Sequence, residues 1–337
     1  MWVAATSASA RVTTRAMGAR ARLAYRGRSM CGIVGLYAKT AATSAELGHH
    51  AGRMLVEMGD RGPDSAGLAV YREPLADGST KLSLHARDGA PDWDALVARL
   101  GRETPVLFHR VVGPEHALVA VEVDDVEAQR AVAVALPEVE VAAAGTTVEI
   151  IKEAIRPAEF VDRFELDAIS GTHALGHTRM ATESRVTTAG SHPFSTGGDL
   201  CLVHNGSLSN HNRLRLRLRD QGIEFQTEND TEVAAGYVAW RLREGDTLER
   251  ALERCLDDLD GFYTFAVGTA DGFAVLRDPI ACKPAVMAET DDWVAMASEY
   301  RALAVLPGAD DARVWEPEPA TVYHWGLTTT SSVALCR

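Results

Sequence analysis

MCGIVGLYA, residues 30–38, places a cysteine directly after an initiator-type methionine and at the head of a short apolar run of β-branched residues and glycines. That composition reads as a buried strand beginning at its first residue. Once Met30 is removed, the α-amino group of Cys31 lies beside its own thiol. An α-amine has an ordinary pKa of roughly 7.7–8.0, so at neutral pH a useful fraction is free base and can take the thiol proton, directly or through a water. No separate catalytic histidine is then required. A single cysteine in an apolar run is more often a small buried hydrophobe, so this stretch needs company before it carries chemistry.

Upstream of it, residues 1–29 contain six Arg and no Asp, Glu or Lys. Arg-rich, Ser/Thr-rich and acid-free composition fits an organellar transit peptide or an upstream region included by a start codon placed too early. The second reading is preferred, which makes residues 1–30 an extension that is removed or misassigned. The chain as a whole has 337 residues, 46% hydrophobic and 24% charged, with a net charge of −13. This is ample for a full-sized core and too apolar for a disordered chain. No run of 18 apolar residues occurs, which argues against a membrane-spanning helix. The acidic balance argues against a broad nucleic-acid-binding surface. Cys31, Cys201, Cys255, Cys282 and Cys336 lack metal-finger and redox-pair spacing, so reduced thiols in a cytoplasmic protein and no metal site are expected. Neither a dinucleotide-binding glycine motif nor a triphosphate loop is present.

Hydrophobic periodicity organises the chain after Cys31. Helical spacing at 45–58 leads to GDRGPDSAG (59–67), whose glycines and proline break the helix, and LAVY after it reads as a strand. From 72 to 161 the pattern is mixed: helices at 92–100 and 126–135, strands at 116–123 and near Val139. THALGHTRMAT (172–182) reads as a strand entering a polar loop, and DLCLVHNGSLSN (199–210) as a strand ending in an Asn-Gly turn. Helices are predicted at 213–221, at 229–244 with Asp230 or Thr231 as N-cap, and at 247–259 capped by Asp246, followed by short strands to about Trp325. Strands at both ends with helices between them predict an α+β layered fold with antiparallel sheets.

CGIVG at Cys31, RGPDSAG at Arg61, GHTRMAT at Gly176, HNG at His204 and ENDTE at Glu228 occur together and in this order. The set resembles the class II glutamine amidotransferases over residues 31 to about 319. The resemblance implies an N-terminal-nucleophile hydrolase with a four-layer αββα sandwich over residues 31–325. It also marks 72–161 as an insertion subdomain, since Cys31 to Arg179 spans 148 positions, and leaves 326–337 as a tail. TENDTEVAAGYVAWRLREG, LDDLDGFYTF, RDPIACKPAVMAET, SEYRAL and VWEPEPATVY are similar to the stand-alone amidotransferase subunits of glutamate-synthase-like systems, such as that of N-methylglutamate synthase.

Within that resemblance, the three handles of glutamine distribute over named residues. Arg179 is the candidate for the α-carboxylate, because a guanidinium fork matches it bidentately; the alternative is a structural ion pair. Asp230 is the candidate for the α-ammonium, or simply a helix cap. Asn205, through its side-chain amide, and Gly206, through its backbone N–H, would form an oxyanion hole, each donor contributing about 3 kcal/mol. Thr182 would complete the glutamine pocket. Arg61 and Asp64 would shape the loop near the nucleophile or contact substrate, while His177 and His204 would support the site by hydrogen bonding. Met180 and Glu183 stand where many relatives carry an aromatic residue and a histidine.

The implied reaction is attack of the Cys31 thiolate on the glutamine amide carbon, release of ammonia and hydrolysis of the thioester to glutamate. After Trp325 too little chain remains for an acceptor domain, so the acceptor is expected on another polypeptide. By resemblance this would be an FMN-dependent synthase subunit with a glycine-rich β-helix subunit, and this chain itself would hold no cofactor. Two alternatives stay open: a free-standing N-terminal-nucleophile hydrolase of another amide, for which Arg179 and Asp230 would be unnecessary, and a non-catalytic module with a blocked N-terminus.

Overall fold

The computed structural model describes residues 31–180, 186–326 and 332–335; the extension 1–30, Thr182 and Glu183 lie outside them. In chain order, β1 (Gly32–Ala38) leads through α1 (Ala41–Ala45) and α2 (Leu47–Glu57) to the turn holding Arg61 to Asp64, and then to β2 (Ser65–Tyr71). Next come β3 (Thr80–Ala86), α3 (Trp93–Leu100), β4 (Val106–Gly113), β5 (His116–Val121), α4 (Asp125–Ala135) and β6 (Val139–Gly145). β7 (Val148–Glu153), α5 (Pro157–Arg163), β8 (His173–Arg179), β9 (Phe194–Ser195) and β10 (Cys201–Leu208) follow. α6 (His211–Asp220), α7 (Asp230–Arg243) and α8 (Leu248–Asp258) precede β11 (Gly261–Thr269), β12 (Gly272–Arg277), β13 (Val286–Glu289) and β14 (Trp293–Ala297). The chain closes with α9 (Tyr300–Leu303), β15 (Arg313–Trp315), β16 (Thr321–Gly326) and β17 (Ser332–Leu335).

One sheet has the order β15-β13-β14-β1-β8-β2-β7 and a second the order β17-β16-β12-β11-β10-β9. Strand alternation decides what lies between them. In β1, Ile33 and Tyr37 face the second sheet and pack with Val203, Phe273 and Val275, while Val34 and Leu36 face α2 and join Leu47, Met54 and Leu55. A strand buried on both faces has to be apolar throughout, and this is why residues 32–38 lack a polar alternation. On the far side, Leu202, Phe265 and Val267 of the second sheet pack against Leu214, Val233, Tyr237 and Leu252 of α6, α7 and α8. The layers are therefore helix, sheet, sheet, helix, the αββα sandwich expected. Among the described residues no helix is long and apolar enough to cross a membrane.

A third sheet, β4-β5-β3-β6, is separate and packs Leu82 and Leu84 against Leu96 of α3 and Val132 of α4. It accounts for residues 80–145 of the 72–161 stretch. β7 closes an edge of the seven-stranded sheet and α5 packs with α2 and β2, so both belong to the main layers.

Three local expectations are corrected. Asn205-Gly206 is not a turn: β10 runs straight through it, paired with β11 from Cys201↔Gly268 to Leu208↔Gly261. Gly206 is needed for close approach, because a Cβ there would lie 2.0 Å from the Phe262 carbonyl oxygen. The N-cap of α7 is Asn229, whose side chain accepts from the Thr231 N–H at 2.9 Å, and not Asp230 or Thr231. Thr247, not Asp246, caps α8, because the Asp246 carboxylate is taken by Arg241 and Arg254 at 2.5 and 2.9 Å.

Candidate active site

Cys31 is half-buried at the start of β1, the strand held between β14 and β8. Pairing of Gly32 with Thr178 brings Cys31 beside the end of β8, where Arg179 and Met180 lie. The Met180 backbone N–H lies near the Cys31 thiol and acts to lower its pKa. Burial pushes the thiol pKa up, against the lowering influence of that N–H and of the Arg179 and Lys283 charges, and the net shift is upward. The thiol is thus a resting neutral group that needs a base.

The Cys31 carbonyl accepts two side-chain donors, the Asn205 amide at 3.1 Å and the Arg61 Nε at 3.2 Å. Asn205 reaches it from β10 in the opposing sheet, so the two central sheets meet at this residue. Arg61 is itself held by an ion pair with Glu299, whose other oxygen lies 2.8 Å from Arg301. Behind the cysteine, the Ile33 N–H donates to Ser298 Oγ at 2.9 Å, and the Ser298 N–H donates back to the Ile33 carbonyl at 3.0 Å. Four chain segments therefore fix the cysteine backbone.

Arg179 ends β8 and donates from Nη1 to the Gly190 carbonyl at 2.7 Å. Its own carbonyl accepts from the Asp64 N–H at 3.0 Å, which seats the RGPD turn against the strand end. Gly62 makes that seating possible, since a Cβ there would meet the Thr178 carbonyl carbon at 2.3 Å. Asp230, the first residue of α7, accepts the Leu208 N–H at 2.9 Å and lies 3.7 Å from His204 Nδ1. Thr231 Oγ1 bridges His204 Nδ1 at 3.0 Å and His192 Nε2 at 3.2 Å. His192 stacks on His177 at 3.9 Å between ring centroids, and His177 Nε2 donates to the His204 carbonyl at 3.1 Å. Burial lowers the pKa of all three imidazoles, that of His177 to about 3. Neutral rings stacked in the interior brace β8, β10 and α7 against one another.

The structure thus gathers Cys31, Arg61, Asn205 and Arg179 at one point and sets His177 and Asp230 against His204, the neighbour of Asn205 on β10, while Thr182 falls outside the described residues. Sequence reasoning missed the Met180 N–H, Lys283, Ser298 and Glu299. The last three stand in the RDPIACKPAVMAET and SEYRAL stretches, so the signal was present without a role attached. Of the remaining thiols, Cys201 and Cys255 are buried, the Cys201 thiol being pushed up to about 12 by burial, and Cys282 is exposed. Elsewhere, His85, His116 and Glu153 bring ligand-type atoms within 4.8 Å of one another. His116 Nε2 there already bonds the Lys152 carbonyl at 3.0 Å.

Comparison with known proteins bears on this geometry. Residues 177–305 match the glutamine amidotransferase domain family. The chain is 53% identical over 297 residues to the glutamine amidotransferase-like protein GlxB of Rhizobium meliloti, covering 88% of this chain and 98% of that protein. It is 33% identical over 166 residues to the amidophosphoribosyltransferase of Archaeoglobus fulgidus, covering 48% of this chain and 36% of that one. The glutamine phosphoribosylpyrophosphate amidotransferase structure from B. subtilis, complexed with ADP and GMP, superposes with a TM-score of 0.58 at 21% identity. That match covers 90% of this chain and 49% of the solved one, so the chain spans about half the length of that protein and shares its fold.

Proposed function

The chain belongs to the class II glutamine amidotransferase family, and from that membership we propose that it is a glutaminase whose nucleophile is Cys31 and which delivers ammonia to a synthase partner. The observation that carries the reading is the convergence on Cys31 of Asn205 and Arg61 at its carbonyl and the Met180 N–H at its thiol. Removal of residues 1–30 frees the Cys31 amine, which takes the proton of a thiol that burial keeps neutral. The sulfur attacks the glutamine amide carbon. The second N–H of the Asn205 amide and the Gly206 N–H hold the oxyanion. The amine then passes its proton to the departing ammonia, leaving a γ-glutamyl thioester that water converts to glutamate and free thiol. Arg179 takes the substrate carboxylate, Asp230 its ammonium and Thr182 the remaining side of the pocket.

Ammonia released into water at neutral pH is protonated and loses its nucleophilicity, so a sheltered path to an acceptor is needed. The reading assigns that acceptor to a separate FMN-dependent synthase subunit accompanied by a glycine-rich β-helix subunit, in a cytoplasmic complex that makes glutamate or N-methylglutamate. The inserted sheet of residues 80–145 is the surface offered to it.

Mass spectrometry of the native N-terminus and glutamine hydrolysis by Cys31→Ala test the reading together. A chain beginning at Cys31, loss of activity in Cys31→Ala and retention in Cys282→Ala are expected. Full activity from a chain that still begins at Met1, or first labelling of a cysteine other than Cys31 by a glutamine-analogue electrophile, overturns it. Adding the flavoprotein subunit should raise the rate; a rate unaffected by it removes the partner from the proposal.

A further inference from the structure

Between the inserted sheet and the main sheet lies a cavity of about 660 Å³, at the end of β2 and β8 remote from Cys31. Glu149 on β7 is its electrostatic centre. Arg72, Lys81 and Arg110 all approach this one carboxylate, at 3.4, 3.5 and 3.2 Å. Asp199, also buried, adds a second negative charge within electrostatic reach of Lys81, so three cations face two carboxylates and one positive charge is left unmatched, in a chain whose net charge is −13. Glu73 also borders the cavity, but it is exposed at the rim, where water screens its charge; its backbone carbonyl accepts the Lys81 ammonium at 2.8 Å. His109 is occupied by Asp94 at 2.9 Å.

The floor of the cluster is buried, while Arg72 and Arg110, with side chains 28% and 52% exposed, open toward the cavity and water. The Lys81 side chain is 8% exposed and that of Glu149 12%, so neither is freely solvated. Arg72 and Arg110 each carry five N–H donors, and both guanidinium groups donate to Glu149 Oε2. The same two arginines and Glu149 also wall a neighbouring cavity of about 280 Å³. Phe108, Leu118 and Leu75 supply an apolar wall to the larger one. A volume of this size, with convergent charges on one side and an apolar wall on the other, is that of a small-molecule site.

We propose that this cavity binds a small dianion, a phosphate monoester or a dicarboxylate, whose charged end lies on Arg72, Lys81 and Arg110 and whose apolar body lies along Phe108 and Leu118. Lys81 and Arg110 come from β3 and β4 of the inserted sheet, whereas Glu149 lies on β7 of the main sheet and Arg72 directly follows β2. Bound anion would therefore tie the two together.

Calorimetric titration of the full chain with phenyl phosphate, phthalate, inorganic phosphate and benzyl alcohol tests this. Saturable one-to-one binding of phenyl phosphate or phthalate is expected, with the stronger of the two identifying the head group, and benzyl alcohol should not bind. Each lost guanidinium contact should weaken binding about tenfold, so the Arg72→Gln/Arg110→Gln double variant should lose about a hundredfold. Glu149→Gln should bind more tightly than the parent, a sign that a merely structural ion cluster would not produce. Glutamine hydrolysis should persist in all of these variants. Arg110→Gln alone, at a side chain 52% exposed, serves if the double variant does not fold. Absence of saturable binding by both dianions, or equal affinity in the arginine variants, overturns the proposal.

Discussion

Asn205 uses one N–H of its side-chain amide on the Cys31 carbonyl at 3.1 Å, and an amide has two. The same residue can therefore hold the nucleophile's backbone and still donate to an oxyanion, provided Cys31 stays where β1 puts it. Truncation removes both contributions. Asn205→Ala should lower kcat for glutamine hydrolysis by roughly 10²- to 10³-fold while leaving the fold intact. Asn205→Asp should be worse, because a carboxylate would face the Cys31 carbonyl and the developing negative charge. Steady-state kinetics with each variant checks this, and a kcat within threefold of the parent would remove Asn205 from the mechanism. Of the other cysteines, Cys201 and Cys255 are buried and behave as small hydrophobes. Lys283 was not legible in the sequence, because a lysine after an exposed cysteine carries no local mark of nearness to residue 31.

At the scale of elements, the site depends on how closely the RGPD turn sits on the end of β8. A methyl group on Gly62 would meet the backbone of Thr178 and Arg179 at 2.3 to 2.6 Å, and backbone atoms of a central strand have nowhere to move. Gly62→Ala should therefore cost about 1–3 kcal/mol of stability and also reduce kcat/KM by displacing Arg179 from Cys31. Gly78 is the control: its φ of +80° disfavours a side chain, but nothing lies within 4 Å. Gly78→Ala should cost about 1–2 kcal/mol without touching kcat/KM. Urea unfolding and glutaminase kinetics on both variants separate strain from site geometry. Periodicity located most of these elements to within a few residues, most clearly α8, which buries Leu248, Ala251, Leu252 and Cys255 on one side. It failed at Asn205-Gly206, where the dipeptide's turn preference gave way to eight residue pairs with β11.

For the molecule as a whole, neutral buried histidines set an acid limit. Burial lowers His116 to about 4 and His173 and His177 to about 3, against roughly 6.5 in an unfolded chain. Between those values the unfolded state binds more protons than the folded one, so stability falls as pH falls. At pH 5 each of the three should have lost about 2 kcal/mol, a large share of a typical total of 5–15 kcal/mol. The urea midpoint should drop steadily from pH 7 to pH 5. A flat profile over that interval would show that these rings take up protons without unfolding.

Apolar runs, glycine placement and the five ordered motifs determined the α+β class, the family and the candidate nucleophile, because each is a property of neighbours along the chain. They also placed Asn205 and Arg179 among the candidates. What only the tertiary structure decided was company: that Asn205 and Arg61 share the Cys31 carbonyl, that His177, His192 and His204 form one buried stack and bridge, and that Glu149 gathers three cations from β3, β4 and the end of β2. These contacts join residues from 15 (His177 and His192) to 174 (Cys31 and Asn205) positions apart. Strand order, not local preference, brings such residues together, and strand order emerges only when both faces of both sheets are buried at once.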